Sequence, residues 1–476
     1  MMETSLIRER AKKPPRPPKP GGVREVLSLA IPIMLSFCTV SLIAVVDRLC
    51  LSWYDRDAMN AAFQAGSLFW TLAVFPNGIG TFVNSFVSQY EGAGQSRRVG
   101  AIVWQGVFVG VVAGVLLMIV SPWIKAFFIA VGQDETMAIL ERKYWTIMTL
   151  GAIPIIAFES LASFFEGLRE PKYVTIVSIS GVALNALLDP ILIFGLFGFP
   201  ELGLVGAATA SSISMWAMFV AILILVLRRD KQGKYGVRSG FRFVAPEMRR
   251  LMTFGSMSAA QGSIEHFFFG MFTLMMGWIS VEASASTAIG FNINSFLYMP
   301  AIGLGLATST LVGNSMGAGK PDLGVAATRT AVLLAIAFSC FFALLFLVAP
   351  EPLVDVYALN DPEAFASTRP IAINVVKIVG IYLVMDALNL VLVGALRGAG
   401  DARFIMVESF VVVALALIAL FVGVHRFGLR VYWCWWVMTG YLIVNVAVLY
   451  VRFLGGKWKE KSLVDAPLPI DSEETK

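Results

Sequence analysis

Twelve long apolar segments, separated by short polar stretches, follow one another along this chain from about residue 26 to residue 450. Each is near or above the roughly 20 residues that an α-helix needs to cross the hydrocarbon core of a bilayer. The pattern therefore predicts twelve transmembrane helices. Their predicted limits are Val26–Leu51, Ala65–Tyr90, Val99–Phe127, Tyr144–Phe165, Val174–Phe194, Leu204–Leu227, Leu251–Ile279, Thr287–Val312, Val325–Val348, Ile371–Leu396, Phe404–Val424 and Val431–Tyr450.

The composition agrees with this pattern. Of the 476 residues, 57% are hydrophobic and only 14% are charged, whereas a soluble domain has about 25% charged residues. A soluble protein of this composition would have to bury every face of nearly every helix, which a single domain of this length cannot do. The predicted fold class is an all-α integral membrane protein.

A repeated glycine motif divides the twelve helices into two sets of six. Gly78-Ile79-Gly80, followed by Gly92-Ala93-Gly94, recurs 225 positions later as Gly303-Leu304-Gly305 and Gly317-Ala318-Gly319. Because six is an even number, both halves enter the membrane from the same side. The sequence therefore predicts two parallel six-helix repeats, an architecture on which many transporters are built.

The distribution of basic residues predicts the orientation of the chain. Arginine and lysine are concentrated in both termini, in the central linker and in one set of short loops. By the positive-inside rule, both termini and the linker are cytoplasmic. The predicted divisions are a disordered, basic, Pro-rich cytoplasmic tail (1–25), an N-terminal six-helix lobe (26–227), a basic cytoplasmic linker (228–250), a C-terminal six-helix lobe (251–454) and a cytoplasmic C-terminal tail (455–476).

Motif searches argue against an enzyme. Gly319-Lys320 is followed by Pro321 and lacks the spaced glycine of an ATP-binding loop. The stretch from Gly313 to Gly317 matches a hydrolase nucleophile pattern, but no strand precedes it and no histidine partner is plausible. The two histidines and four cysteines do not have the spacing of a zinc site. We therefore expect no catalytic residues, no cofactor, no nucleotide and no nucleic-acid partner.

Acidic residues inside the predicted helices are the first candidates for function. A charged side chain at mid-membrane costs roughly 2.5–3.5 kcal/mol on insertion scales, so it marks a functional site by default. Four such residues are Asp47, Asp189, Glu265 and Asp386. For Asp47 an ion pair with Arg48 is an alternative, and for Asp189 a helix-end role with Pro190 is another. Glu265 and Asp386 have no comparable structural explanation.

Polar neighbours extend stripes beside these two acids. Gln261 lies one helical turn before Glu265, and Asn389 lies three residues after Asp386. Several carboxylates that face one cavity would bind protons or a hard cation such as Na⁺. Aromatic rings near them could stack on a planar organic cation. The candidate residues for a substrate cavity are Gln261, Phe268, Tyr298 and Asn389.

Several stretches occur together in a characteristic order. They are Ile31-Pro32 through Asp47, Gly78 to Gly94, Asn185 to Pro190, Gly206 to Ser211, Glu265, Gly303 to Gly319, and Met385-Asp386 through Gly398. By their order and spacing, the chain from Arg24 to about Tyr450 resembles the MATE family (multidrug and toxic compound extrusion), and within it the NorM-type branch.

This resemblance implies a V-shaped pair of six-helix lobes and cation-driven export of amphipathic, often cationic, organic compounds. It implies a Na⁺ site in the second lobe at Glu265 and Asp386. It also implies a cation or proton site in the first lobe, made by Asp47, Asn185, Asp189 and Ser211. A bacterial inner (cytoplasmic) membrane location follows from the same resemblance, and we expect a monomer surrounded by lipid.

The leading hypothesis is a secondary antiporter that exchanges inward-moving Na⁺ or H⁺ for an outward-moving small organic compound. One alternative is a flippase for lipid-linked precursors, which needs a cavity lined with basic residues. The other is a membrane receptor or channel. Among the residues that depart from the family's usual pattern are Arg48 beside Asp47 and Lys377 in the tenth predicted helix.

Overall fold

The structure is a computed structural model that describes residues 19–358, 365–428 and 430–464. Most of the predicted N-terminal tail and the last part of the C-terminal tail lie outside these residues. The described residues form helices and turns, and no β-strand occurs among them.

Twelve long helices, here numbered α1 to α12, account for most of the described chain. Some are interrupted by a short break or turn, and two shorter helices, Ala245–Arg250 and Pro350–Asp355, lie outside the numbering. The twelve are α1 (Val23–Tyr54), α2 (Arg56–Gly92), α3 (Val99–Val120, continued by Ile124–Ala130), α4 (Glu135–Leu150 and Ala152–Gly167), α5 (Lys172–Phe194), α6 (Leu204–Arg229), α7 (a π-helical turn Leu251–Gly255, then Ser256–Ile279), α8 (Val281–Gly317), α9 (Pro321–Val348), α10 (Arg369–Ala399), α11 (Ala402–Phe427) and α12 (Val431–Leu454).

By length and composition, eight of the described helices can cross a membrane as single spans. Two further spans are bent pairs: α4 bends by 40° at Gly151, and α8 bends by 45° between Ser295 and Leu297. The remaining long helices, α2 and α7, carry more polar residues and lie where the two halves meet.

Helices α2 and α8 begin earlier than the sequence predicted, at Arg56 and Val281. The side chains of Asp55 and Ser280 cap these ends, each accepting a backbone N–H from three residues further on. Such caps satisfy orphan donors in the first helical turn. The apolar pattern alone missed these turns because they are not fully apolar. The two caps are also 225 positions apart, as the glycine motifs are.

The two six-helix halves meet through equivalent residues. A Cβ added at Gly78 of α2 would lie 2.9 Å from Cα of Ala259 on α7. A Cβ added at Gly303 of α8 would lie 2.7 Å from the backbone nitrogen of Met34 on α1. Because both pairs are related by the same shift of 225 positions, the crossing of α2 over α7 repeats the crossing of α8 over α1. Small residues permit such close approach.

The closest contact between the halves joins the second parts of α2 and α8, over residues 84–92 and 309–317, and we call it the seam. Asn84 donates to Thr310 Oγ1 and accepts from it, both at 3.1 Å. The hydroxyl oxygens of Ser85 and Ser309 are 3.4 Å apart. All four side chains are buried. The seam therefore closes the molecule at this end with satisfied polar groups.

Glycine is required where the seam is tightest. A Cβ at Gly92 would overlap the carbonyl oxygen of Asn314, and a Cβ at Gly317 would overlap the carbonyl oxygen of Gln89. The overlapped atoms belong to backbone and cannot turn away as a side chain could. Gly92 and Gly317 therefore serve close helix packing, which accounts for the recurrence of this pair in both halves.

The segment after α12 packs against the same end of the molecule. The backbone N–H of Leu463 donates to Gln89 Oε1 at 2.8 Å, and its carbonyl accepts from the guanidinium of Arg250. Gln89 Nε2 donates to the carbonyl of Gly398 at 2.8 Å. One buried glutamine of the first half thus bonds both the second half and the C-terminal segment.

We expect Gly317→Ala to open the seam. The added methyl cannot fit against the Gln89 carbonyl, so the closed arrangement becomes less populated. If the closed state loses about 1.4 kcal/mol of stability relative to the open state, a cysteine introduced by Ser88→Cys should react with maleimide about tenfold faster. The labelling rate is measured by mass spectrometry. Gly440→Ala is the matched control, since a Cβ there meets open space. An unchanged rate in Gly317→Ala would contradict the role of this glycine.

Candidate functional site

A cavity lies between the two halves, away from the seam. It has a volume of about 630 Å³ and is enclosed by α1, α2, α4, α6 and α7. On α2 its lining residues precede the seam by about 20 residues, roughly 30 Å along a helix. The molecule is thus closed at one end and hollow towards the other.

The wall of this cavity is mostly apolar and aromatic. Its titratable side chains are Asp47 and Arg48 from α1, Tyr144 from α4 and His266 from α7. Trp70 and Phe269 contribute large rings from opposite halves. A cavity of roughly 300–1,000 Å³ with few polar groups is typical of a site for a small organic molecule.

A buried polar cluster of the first half borders the cavity at Asp47. The Asn185 amide nitrogen donates to Asp47 Oδ1 at 3.1 Å and lies 3.4 Å from both Asp189 Oδ1 and Ser211 Oγ. Ser211 donates to Asp47 Oδ2 at 2.6 Å. Asp47 and Ser211 line the cavity, whereas Asn185 and Asp189 lie behind them.

Local helix geometry assembles this cluster. Asn185 and Asp189 are one turn apart and therefore share a face of α5. A Cβ at Gly206 of α6 would lie 2.5 Å from the Leu192 carbonyl oxygen of α5, so the missing side chain lets these helices approach closely. Asp189 Oδ2 and Asn185 Oδ1 are buried without a hydrogen-bond partner among the described residues. The Asp189 oxygen is free to accept a proton, and both oxygens are free to coordinate a cation.

A second polar cluster lies among α7, α8, α10, α11 and α12. Tyr441 donates to Glu265 Oε1 at 3.4 Å, and Gln261 and Asn389 are within hydrogen-bonding range of the same carboxyl group. Asp386 is buried near Glu265 and within hydrogen-bonding range of Asn294, and its Oδ2 has no partner among the described residues. Glu265 and Asp386 therefore face one shared interior, not the lipid.

A partly buried arginine and a third acid complete the second cluster. Arg397 lies close to Glu265 and donates from Nη2 to Gln261 Oε1 at 3.1 Å. When the Asn445 amide nitrogen points towards Glu408, it lies 3.1 and 3.2 Å from the two Glu408 carboxyl oxygens. Hard oxygen donors of this kind suit Na⁺. No group of three or more histidine, cysteine, aspartate or glutamate side chains placed to hold a metal ion occurs among the described residues.

The sequence profile of the MatE family matches this chain twice, over residues 32–191 and 258–422. The chain belongs to the MatE (MATE) family. Members of this family are membrane transporters and not enzymes. The two matches fall one in each half.

Relatives of this MATE protein cover nearly its whole length. It is 28% identical over 462 residues to a probable multidrug resistance protein NorM of Thermotoga maritima, covering 94% of this chain and 96% of the relative. It is 26% identical over 442 residues to a probable NorM of Bradyrhizobium diazoefficiens, covering 90% and 94%. These similarities make it a NorM-like MATE transporter.

Solved structures share the fold. An outward-facing multidrug resistance MATE transporter of the MOP superfamily superposes with a TM-score of 0.82 at 18% identity, covering 92% of this chain and 97% of that chain. The eukaryotic MATE transporter AtDTX14 gives 0.78 at 20% identity, covering 92% and 96%. The predicted fold, twelve transmembrane helices in two six-helix repeats, is confirmed.

Of the candidate cavity residues, the structure places none on the wall of the 630 Å³ cavity of this MATE protein. Gln261 and Asn389 belong to the second polar cluster, and Tyr298 lies near Glu265 and Asp386. Phe268 is fully buried against the Tyr441 ring, with centroids 4.7 Å apart. The next residue on α7, Phe269, lines the cavity instead.

Sequence reasoning missed several members of the second cluster, among them Glu408, Arg397 and Asn445. Glu408 is an acid within the apolar α11, so the rule that found Glu265 could have found it. Arg397 lies in the last turn of α10, one residue beyond the predicted end of that helix at Leu396. Nothing in the sequence marks Asn445 as a partner of Glu408, because α11 and α12 meet only in the folded protein.

Proposed function

We propose that this protein is a secondary antiporter that exports amphipathic organic compounds, with Na⁺ or H⁺ moving inward in exchange. The observation that carries the proposal is one closed end and one hollow end, with buried carboxylates in both halves. A protein that transports by alternating access has its substrate site between two matched halves that rock against each other. Relatives described as multidrug resistance proteins support the substrate class.

The two polar clusters are the proposed ion sites. Glu265 and Asp386 supply carboxylates for Na⁺, with Gln261 and Asn389 as neutral oxygen donors. Asp47, Asn185, Asp189 and Ser211 form a second site, for a cation or a proton, that directly borders the cavity. An ion drives the cycle only if it binds one conformation better than the other.

We also propose which parts of the transporter move and where it lies in the cell. The two lobes, 26–227 and 251–454, are the moving bodies, and the basic linker 228–250 joins them. The transporter lies in the inner (cytoplasmic) membrane as a monomer with both termini cytoplasmic. The seam is then the cytoplasmic gate, and the cavity opens outward.

The cavity does not favour the flippase alternative. A pyrophosphate-linked lipid would need a set of basic side chains on the wall. Among the described residues that line it, Arg48 is the one that is always cationic, and it lies beside Asp47. Lys377 is exposed on α10 and is not among the lining residues.

The test is transport in proteoliposomes with imposed gradients. We expect dye export driven by a Na⁺ or pH gradient, and we expect that the double variant Glu265→Gln, Asp386→Asn loses the response to the Na⁺ gradient. Glu141→Gln is the matched control, since Glu141 is a fully buried acid outside both clusters. Unchanged Na⁺-driven transport in the double variant would refute this ion site.

The same preparation separates the two clusters. A double variant Asp47→Asn, Asp189→Asn should lose the response to a pH gradient if the first cluster carries protons. A current that varies linearly with voltage, without coupling to any gradient, would identify a channel and contradict the antiporter.

A further inference from the structure

Arg48 is the unusual feature of the cavity. It is exposed on α1, lines the cavity, and its Cζ lies 4.9 Å from the ring centroid of Phe63 on α2. Among the described residues it forms no hydrogen bond or ion pair with an acid. The cation–π contact positions the guanidinium through the face of the Phe63 ring. Its N–H groups therefore remain available to donate hydrogen bonds to a ligand.

The other charged side chain of the cavity is already engaged. Asp47 is buried, and each of its carboxyl oxygens accepts a hydrogen bond, one from Asn185 and one from Ser211. The facing wall contributes His266, which is neutral or positive. A ligand that enters this cavity therefore meets the guanidinium of Arg48, whose N–H groups can bind an anion. The Asp47 carboxyl group is less available to a cation, because both of its oxygens already accept hydrogen bonds.

We propose that the cavity recognises aromatic amphipathic compounds that bear a carboxylate, and that Arg48 binds this carboxylate. The proposal deepens the export function and rests on it. A planar guanidinium matches a carboxylate with two parallel hydrogen bonds. Trp70 and Phe269 offer flat surfaces to the aromatic part of the same molecule. A purely cationic compound would be repelled by Arg48, so zwitterions and anions are the preferred substrates.

A matched pair of fluorescent dyes tests this class. Rhodamine 110 carries a free carboxylate, and rhodamine 123 is its methyl ester with the same rings. Binding to the purified protein in detergent, without ion gradients, is measured by fluorescence polarisation. We expect the acid to bind about tenfold more tightly than the ester, equivalent to about 1.4 kcal/mol.

The Arg48→Gln variant should remove this preference. Its affinity for the acid should fall about tenfold, whereas its affinity for the ester should stay the same or rise. Arg48→Lys, which keeps the charge but loses the fork, should retain part of the preference. Lys377→Gln is the control, because it removes an exposed cation outside the cavity and should change neither affinity.

Three results would overturn the proposal: equal wild-type affinities for the acid and the ester, tighter binding of the ester, or equal weakening of both dyes by Arg48→Gln. The wild-type ratio decides even if Arg48→Gln does not fold. Binding is measured without gradients, so a protein that binds the acid selectively but shows no coupled transport would refute the antiporter and leave the carboxylate site intact.

Discussion

A disulfide across the seam, formed between Ser85→Cys and Ser309→Cys, is expected to reduce transport to background. The two hydroxyl oxygens are 3.4 Å apart and both side chains are buried, so sulfur atoms at these positions lie close enough to bond after small adjustments. Alternating access requires the halves to part at this seam, and a covalent link prevents it. Dye export is measured after oxidation and again after reduction, which should restore it.

A second disulfide within one half provides the control. Ser121 Oγ and Thr146 Oγ1 are 2.9 Å apart, between α3 and α4 of the first half. The pair Ser121→Cys, Thr146→Cys should cross-link without stopping transport, because that half moves as one body. The four native cysteines are free, so the unsubstituted protein is oxidised in parallel. Full transport by the cross-linked seam variant would mean that the halves do not part there.

The second large effect is expected from Arg397→Met. This partly buried guanidinium lies close to Glu265 and donates a hydrogen bond to Gln261. Removing it takes a positive charge away from the Glu265 carboxyl group and a hydrogen-bond donor away from Gln261, and leaving a buried polar group unsatisfied typically costs about 1–3 kcal/mol. We therefore expect the free energy of unfolding to fall by about 2 kcal/mol, measured by denaturant titration in detergent micelles.

A double-mutant cycle shows whether this loss of stability comes from removing the positive charge beside Glu265. In the Arg397→Met background, Glu265→Gln should restore part of the lost stability, because the carboxylate that Arg397 attracts is no longer there. Additive losses in the double variant would show that Arg397 acts through packing alone. Arg452→Met is the comparison, since Arg452 pairs with Asp401 at 2.8 Å outside the cluster.

Much of the fold was predictable because the bilayer imposes it. Uninterrupted apolar runs specify spans, and an even number of spans per repeat specifies parallel halves. The first cluster was predictable in part for the same reason: Asp189 and Asn185 are one turn apart, and acids such as Asp47 are costly in a membrane. The Ser211 position came from family resemblance, because a serine in a small-residue helix carries no signal of its own.

The cavity could not be predicted, because its walls depend on how helices of different halves are rotated. Phe268 and Phe269 differ by about 100° around α7, and that difference decides which ring is buried and which lines the cavity. The pairing of Glu408 with Asn445 likewise depends on the contact between α11 and α12. The 225-residue spacing revealed the repeat, but only coordinates show that Gly92 meets Asn314 while Gly317 meets Gln89.

The contact of Gly92 with Asn314 and the contact of Gly317 with Gln89 bear on how the two halves of the protein arose. Asn314 is the counterpart of Gln89, and Gly317 is the counterpart of Gly92. Each half therefore contributes one backbone carbonyl group and one glycine that makes room for the carbonyl group of the other half. Such self-complementary contacts are the isologous interfaces of twofold-symmetric dimers. A polypeptide with a single repeat would already carry both sides of the contact and fit a second copy of itself. Gene fusion would then have joined two subunits that were paired before they shared a chain.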